Sequence, residues 1–257
     1  MKNLIFRNVD IYDGLGSDPY VSDIAIDDGY ICSVDTSIPG KSLKEIDATG
    51  LAICPGFIDI HGHSDYYLLI NPSAEAKVKQ GITTEVGGNC GYSAAPIGGI
   101  EFQFRQSLYK EQFDLELSFK TLEDYLKRIE KQGIALNYVP LIGHNTIRAS
   151  VMGGSASPCN QKQLLEMEKL VDEGMKQGAF GLSTGLVYAP ANFAESSELV
   201  SLCKIAANRG GFFATHMRSE GDLLIESIEE VLNISKQANI PIQISHLKTA
   251  GEKNWNK

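Results

Sequence analysis

Residues 56–65 read GFIDIHGHSD, an apolar run that ends in two histidines, His61 and His63, with one glycine between them. Alternate residues of an extended strand share a face, so both imidazoles can enter one cavity while Gly62 points away. What lies on either side of this stretch decides the fold. Before it, residues 1–52 hold short apolar runs broken by turn residues: NLIFRNVDIYDG, SDIAIDDGYICSV and EIDATGLAICPG. These predict small antiparallel strands, with Asp28-Gly29 as a hairpin turn. After Pro55 the short apolar runs GITTEVGGN, NYVPLIGHN, GAFGLSTGL, GGFFATHMR and IPIQISHLK alternate with helix-patterned segments at 121–131, 161–177, 196–208 and 221–238. Strand followed by helix, repeated, means a parallel sheet covered by helices. Polar residues gather at the strand ends, where barrel enzymes keep their chemistry. The sequence therefore predicts an α/β fold. It has an incomplete (β/α)8 TIM-type barrel of about six strands over residues 53–257 and a small, partial N-terminal β-subdomain over 1–52. Residues 98–118 have aromatics and charges without clear periodicity and read as an excursion over one end of the sheet. Thr121 with Asp124, and Ser196 with Glu198 in its first turn, read as helix starts.

The 257 residues, 43% of them hydrophobic, can fill a sizeable core. A formal net charge of −9 without a basic run leaves nothing to neutralise phosphates, which argues against nucleic acid and anionic membrane and for a small-molecule partner. No stretch reaches the eighteen or so apolar residues of a membrane span, and Asp10 and Asp13 interrupt any signal-peptide core, so the expected location is cytoplasmic. Cys32, Cys54, Cys90, Cys159 and Cys203 are odd in number and widely spaced, which suggests neither a disulfide framework nor a zinc finger.

Read to its C-terminal end, each strand delivers in turn His61 and His63, Cys90, His144, Ser183 and Thr184, His216, and His246. All five histidines of the chain lie at such ends. A metal site on the top face of a barrel requires that clustering, and imidazole with thiolate is a donor set that suits zinc. Cys90, in GGNCG, has backbone room to turn its sulfur toward an ion. Taken singly, a histidine after a strand is more often a hydrogen-bonded structural residue, and a lone cysteine an inert buried thiol. A Cys-His nucleophile pair is the weaker reading, since a thiolate beside so many imidazoles would be captured by metal. His144 reads as a donor behind a ligand or as a substrate contact.

With these residues in place, the chain from PGFIDIHGHSD onward resembles the amidohydrolase superfamily of metal-dependent barrel hydrolases, whose single histidines after the fifth and sixth strands match His216 and His246. More narrowly, GITTEVGGNCG, LIGHNTIR, GLSTGLVYAP, FFATHMRSEG and ISHLK resemble the N-acyl-D-amino-acid deacylases, or D-aminoacylases. The cysteine after the second strand carries most of that likeness, because most of the superfamily has a lysine after strand four, and none follows GLSTGL.

The resemblance implies a tightly bound zinc on Cys90, His216 and His246, and a second, weaker position to which His61 and His63 contribute. It implies Tyr188, His144 and Lys248 near the substrate, and a catalytic aspartate beyond Lys257, since family members are about twice this length. A chain ending at Lys257 would then be slow or inactive alone. The expected reaction is hydrolysis of the amide of N-acyl-D-amino acids to a carboxylate and a D-amino acid. The alternatives are another amidohydrolase acting on cyclic amides, hydantoinase-like or dihydropyrimidinase-like, and an inactive metal-binding fragment.

Overall fold

The computed structural model describes residues 2–257. Backbone contacts divide them after Phe57 into two units, each with its own sheet.

The first unit is built on β1 (Lys2–Ile11), β2 (Tyr20–Asp27), β3 (Tyr30–Asp35), β4 (Ser42–Asp47) and β5 (Ala52–Ile53). The β2–β3 hairpin turns at Asp28 and Gly29, both with positive φ (48° and 80°), the type I′ geometry that matches strand twist. The sheet is mixed rather than wholly antiparallel. β1 pairs antiparallel with β2, but β4 and β5 return on its other side and pair parallel with it, at Lys2–Arg7 and at Asp10–Ile11 respectively. Ile5 is buried with Ala25 and Ile38; a register irregularity between Phe6 and Val9 then switches faces, so Val9 and Ile11 are buried on the other side with Ile24 and Ala48.

The second unit is a curled parallel sheet in the order β6 (Phe57–Asp59), β7 (Ile82–Gly87), β8 (Asn137–Gly143), β9 (Gly181–Gly185), β10 (Phe212–His216), β11 (Ile242–Ile244). Between the strands run α1 (Tyr67–Ile70), α2 (Glu75–Val78), α3 (Gly99–Phe113), α4 (Leu122–Gln132), α5 (His144–Met152), α6 (Gln161–Lys176), α7 (Ser196–Ala207) and α8 (Leu224–Ala238). Period-two alternation separates the two faces of the sheet. Ile142, Leu182 and Phe213 pack under the helices against Met167, Val171, Leu199, Cys203, Val231 and Ile234. Leu141 and Ala214 turn to the opposite face with Val86, Val139 and Phe212. His216 shares the parity of Phe212 and Ala214, which carries its imidazole to that same inner face.

Two segments differ from the sequence reading. Residues 98–118 contain the fifteen-residue helix α3, which has no fully buried residue and meets the core only through half-buried side chains such as Phe102 and Tyr109, so its sequence carries little apolar period. It is supported by the i,i+4 pairs Glu101–Arg105 (2.7 Å) and Lys110–Asp114 (2.7 Å). Helix α5 starts directly after β8, and its first six residues are all buried, so it too shows no amphipathic stripe. Thr121 caps α4 as expected, accepting from Asp124 N at 3.2 Å, while α6 carries a full capping box between Asn160 and Gln163.

Candidate metal centre

The loop that carries the two histidines is held from below. Ser64 N donates to Glu85 Oε1 (3.2 Å), Gly62 N to Val86 O (3.0 Å), and His61 N to Asp59 Oδ1 (3.2 Å). Lys77 ties Asp59 to Glu85. A Cβ at position 62 would lie 1.8 Å from Glu85 Oε1, so any larger residue between the histidines has to displace the Glu85 side chain. Asp65, buried just beyond, accepts from the Tyr138 hydroxyl (2.8 Å) and Gly88 N (3.1 Å), and its carbonyl accepts from Tyr125 (2.6 Å). Burial pushes its carboxyl above the usual range.

Cys90 stands in a single 3-10 turn, Asn89–Gly91, with φ 52°, between Gly88 and Gly91 at φ 77° each. Ser183 braces this turn, its Oγ donating to Gly88 O and accepting from Gly91 N (3.0 Å). Thr184 bonds Thr215 at 2.8 Å. Both strand-end hydroxyls therefore support the turn and the sheet. The outcome is that Cys90 Sγ lies 3.3 Å from His61 Nε2, 3.7 Å from His216 Nδ1 and 3.8 Å from His246 Nε2. His246 leaves β11 with φ 35°, its ring centroid 4.2 Å from that of His216. His63 is exposed, its ring 5.1 Å from His61, the same spacing as between the rings of His61 and His246.

Glu220 was not expected from the sequence. Its Oε1 lies 2.6 Å from His246 Nδ1 and 3.7 Å from His216 Nε2, and its other oxygen is ion-paired with Lys248. Donor atoms of His61, Cys90 and His246 lie within 4.8 Å of one another, as do those of His216, Glu220 and His246. The only sequence signal for Glu220 is an acid four residues past a strand-end histidine. Burial, and then the neighbouring imidazoles of His63 and His246, push His61 down to about 4. Burial likewise lowers His216. The Cys90 thiol is pushed up to about 11, first by burial and then by Glu220. Burial would raise the Glu220 carboxyl, but the Lys248 ammonium and the two imidazoles outweigh it and hold it low.

Of the expected substrate neighbours, Tyr188 lies at the cluster, its ring 5.0 Å from His216 and 5.9 Å from Tyr92. Lys248 is there too, occupied by Glu220. His144 is not: it is fully buried at the start of α5, with Nε2 2.7 Å from Glu198 Oε1. Beside His63 a cleft of about 300 Å³ opens between Tyr92, Ser93, Arg105 and Tyr109. Arg105 bonds Glu101 through Nε (2.7 Å) and packs over the Tyr92 ring at 5.8 Å.

The sequence profile of the amidohydrolase family matches residues 44–256. The chain belongs to the amidohydrolase family. This amidohydrolase is 37% identical over 253 residues to N-acyl-D-aspartate deacylase of Alcaligenes xylosoxydans xylosoxydans, a match covering 98% of this chain and 50% of that protein. A D-aminoacylase crystal structure superposes with a TM-score of 0.91 at 32% identity, over 98% of this chain and 53% of that one. The N-acyl-D-glutamate deacylase of Bordetella bronchiseptica, solved with zinc and a phosphonate inhibitor that mimics the tetrahedral intermediate, gives a TM-score of 0.91 at 30% identity, over 99% and 53%. The amidohydrolase chain thus spans about half the length of the relatives it matches. Among the described residues, no helix is long and apolar enough to cross a membrane.

Proposed function

We propose that this amidohydrolase is a zinc-dependent hydrolase that cleaves the amide of N-acyl-D-amino acids to a carboxylate and a D-amino acid. The observation that carries the reading is the approach of three imidazole nitrogens to Cys90 Sγ, in a chain whose relatives are deacylases of that class. Zinc–nitrogen and zinc–sulfur bonds of roughly 2.0 and 2.3 Å put tetrahedral donors roughly 3.4–3.7 Å apart. The spacings of 3.3, 3.7 and 3.8 Å about Cys90 fit that edge length. The donor chemistry fits as well. His61 and His216 are held neutral, with lone pairs to give, and a buried thiol pushed up to about 11 gives up its proton beside a cation.

We assign the tight site to Cys90, His216 and His246 with His61 as a fourth donor, and a weaker position to His63. Zinc held there supplies a Lewis acid that polarises the amide carbonyl and acidifies water. Tyr188, half-exposed beside His216, is placed to orient the substrate at the cluster. The cleft between His63 and Arg105 gives room for the part of the substrate remote from the amide.

Metal analysis of the purified protein, paired with turnover of N-acetyl-D-methionine and N-acetyl-D-aspartate against their L-enantiomers, tests this. The expected result is about one tightly held zinc per chain and turnover that, however slow, is confined to the D series. A protein that takes up no zinc, or shows no D preference, overturns the reading.

A further inference from the structure

Glu220 Oε1 is a buried acceptor that makes no hydrogen bond among the described residues, although two imidazole nitrogens face it at 2.6 and 3.7 Å. Leaving a buried carboxylate oxygen unbonded is costly. Those two nitrogens, His246 Nδ1 and His216 Nε2, are also the ones turned away from Cys90, whose sulfur faces the opposite nitrogen of each ring. Each imidazole therefore stands between the thiol on one side and the carboxylate on the other. A neutral imidazole has one N–H and one lone pair, so fixing the proton on the Glu220 side presents the lone pair on the Cys90 side.

Direct coordination by Glu220 at these rings is the poorer geometry. At 2.6 Å, Oε1 and His246 Nδ1 are closer together than two donors around a tetrahedral zinc, which lie roughly 3.4 Å apart. They are, however, at the separation of a charge-assisted hydrogen bond. Lys248 also approaches His246 Nδ1, at 3.4 Å, and would favour the opposite tautomer, but it is longer and its ammonium is spent on Glu220.

We infer that Glu220 is a positioning residue for the metal centre: it takes the N–H of His246 Nδ1, and that of His216 Nε2 as the rings settle, and so aims both lone pairs at the ion. The inference rests on reading the Cys90 cluster as a zinc centre, and deepens it. Glu220 does not touch substrate. It acts through the two imidazoles, and Lys248 acts through it.

The test compares the full chain with Glu220→Gln, which removes the charge and keeps the shape, and with Glu220→Ala. Zinc affinity is measured by competition with a chromogenic chelator, coordination by the visible spectrum of the cobalt(II)-loaded protein, and tautomers by imidazole 15N shifts of the metal-free protein. Zinc affinity is expected to fall about 10–100-fold in both variants, the range found when an outer partner of a ligating histidine is lost. The cobalt thiolate and d–d bands should keep their positions, because no ligand is lost. In the metal-free Glu220→Ala protein, His246 should lose its preference for the Nδ1–H form. Unchanged affinity together with unchanged tautomers overturns the inference. So does a cobalt spectrum that changes coordination number, since Glu220 would then be a ligand. If the parent takes up no zinc while the tautomer still shifts, the metal reading fails and the positioning role stands.

Discussion

Two histidine–carboxylate clusters sit at strand ends of the same sheet, and they differ in how fully the carboxylate is bonded. In the first, His144 Nε2 meets Glu198 Oε1 at 2.7 Å, Arg148 Nε joins at 3.2 Å, and the remaining guanidinium nitrogens reach the carbonyls of Ser155, Ser157 and Pro190. All three side chains are buried, and the charges cancel within the cluster. In the second, His61, His216 and His246 approach a thiol that is a poor partner, and Glu220 holds an oxygen without a hydrogen bond. Glu198 has both oxygens bonded and ties its cluster together as a brace, although His144 Nδ1 makes no hydrogen bond among the described residues. Three imidazole nitrogens converging on one thiol, beside a carboxylate oxygen left unbonded, suit the metal centre proposed above. Both His144 and His216 stand at strand ends in the sequence, and neither Glu198 nor Glu220 is signalled there as its partner.

The largest expected effect comes from opening the cluster of His144, Arg148 and Glu198. Glu198→Ala leaves Arg148 buried without its counter-charge, which costs roughly 3–5 kcal/mol, and thermal unfolding should fall by on the order of 10 °C. Zinc affinity measured on the protein that remains folded should not change; a parallel loss of both would mean that the clusters are coupled. The pH dependence follows from the Glu198 carboxyl. Burial would raise it, but His144 and Arg148 outweigh that and hold it below the ordinary value. A depressed carboxylate contributes fully above its ordinary pKa and loses that contribution as pH falls through the lower folded value. The stability gap between the parent and Glu198→Gln should therefore close in acid.

Cys90→Ala comes next and has the opposite signature. Zinc affinity should drop by more than the roughly 100-fold that outer-partner losses reach, while the metal-free protein unfolds at nearly the parent temperature, because the thiol makes no strong bond there. Retention of full zinc would show that the imidazoles alone hold the ion. Gly62→Ala is smaller: its methyl group would meet Glu85 Oε1 at 1.8 Å, and relieving that clash should cost roughly 1–3 kcal/mol and weaken zinc through His61. Parent-like stability and affinity would mean that Glu85 swings aside freely.

The strand–helix alternation was legible because β7 to β11 are short apolar runs and α4, α6, α7 and α8 each press one stripe onto them. The metal-centre candidates were legible for a related reason: strand ends are where the alternation stops, and histidines there stand out. Helices buried all round, or only shallowly along one side, were not legible. α3 has no fully buried residue and α5 is buried throughout its first six, so neither shows a 3.6-residue period. Because α5 was hidden, His144 read as a donor behind a ligand or as a substrate contact, whereas it begins a helix and faces Glu198 from α7. Glu220 was hidden for a different reason. Its partners, His246 and Lys248, lie 26 and 28 residues further on, and only the parallel pairing of β10 with β11 brings them beside it.

The smallest expected effect separates the two histidines of the opening motif. Period two predicts that His61 and His63 act together, yet only His61 comes within reach of Cys90, at 3.3 Å, while His63 turns to the cleft shared with Arg105. His61→Ala removes a donor and should weaken the tight site. His63→Ala removes none of the nitrogens that face the sulfur, so first-equivalent zinc affinity should stay at the parent value, and only a second, weaker equivalent should disappear from a calorimetric titration. Equal loss of the first equivalent in the two variants would mean that the loop rearranges on binding and that one site uses both rings. The same pair of titrations measures how rigidly Glu85 and Gly62 hold the loop. A rigid loop keeps the two histidines on separate duties, because it holds His61 Nε2 at 3.3 Å from Cys90 Sγ while His63 stays exposed beside the cleft.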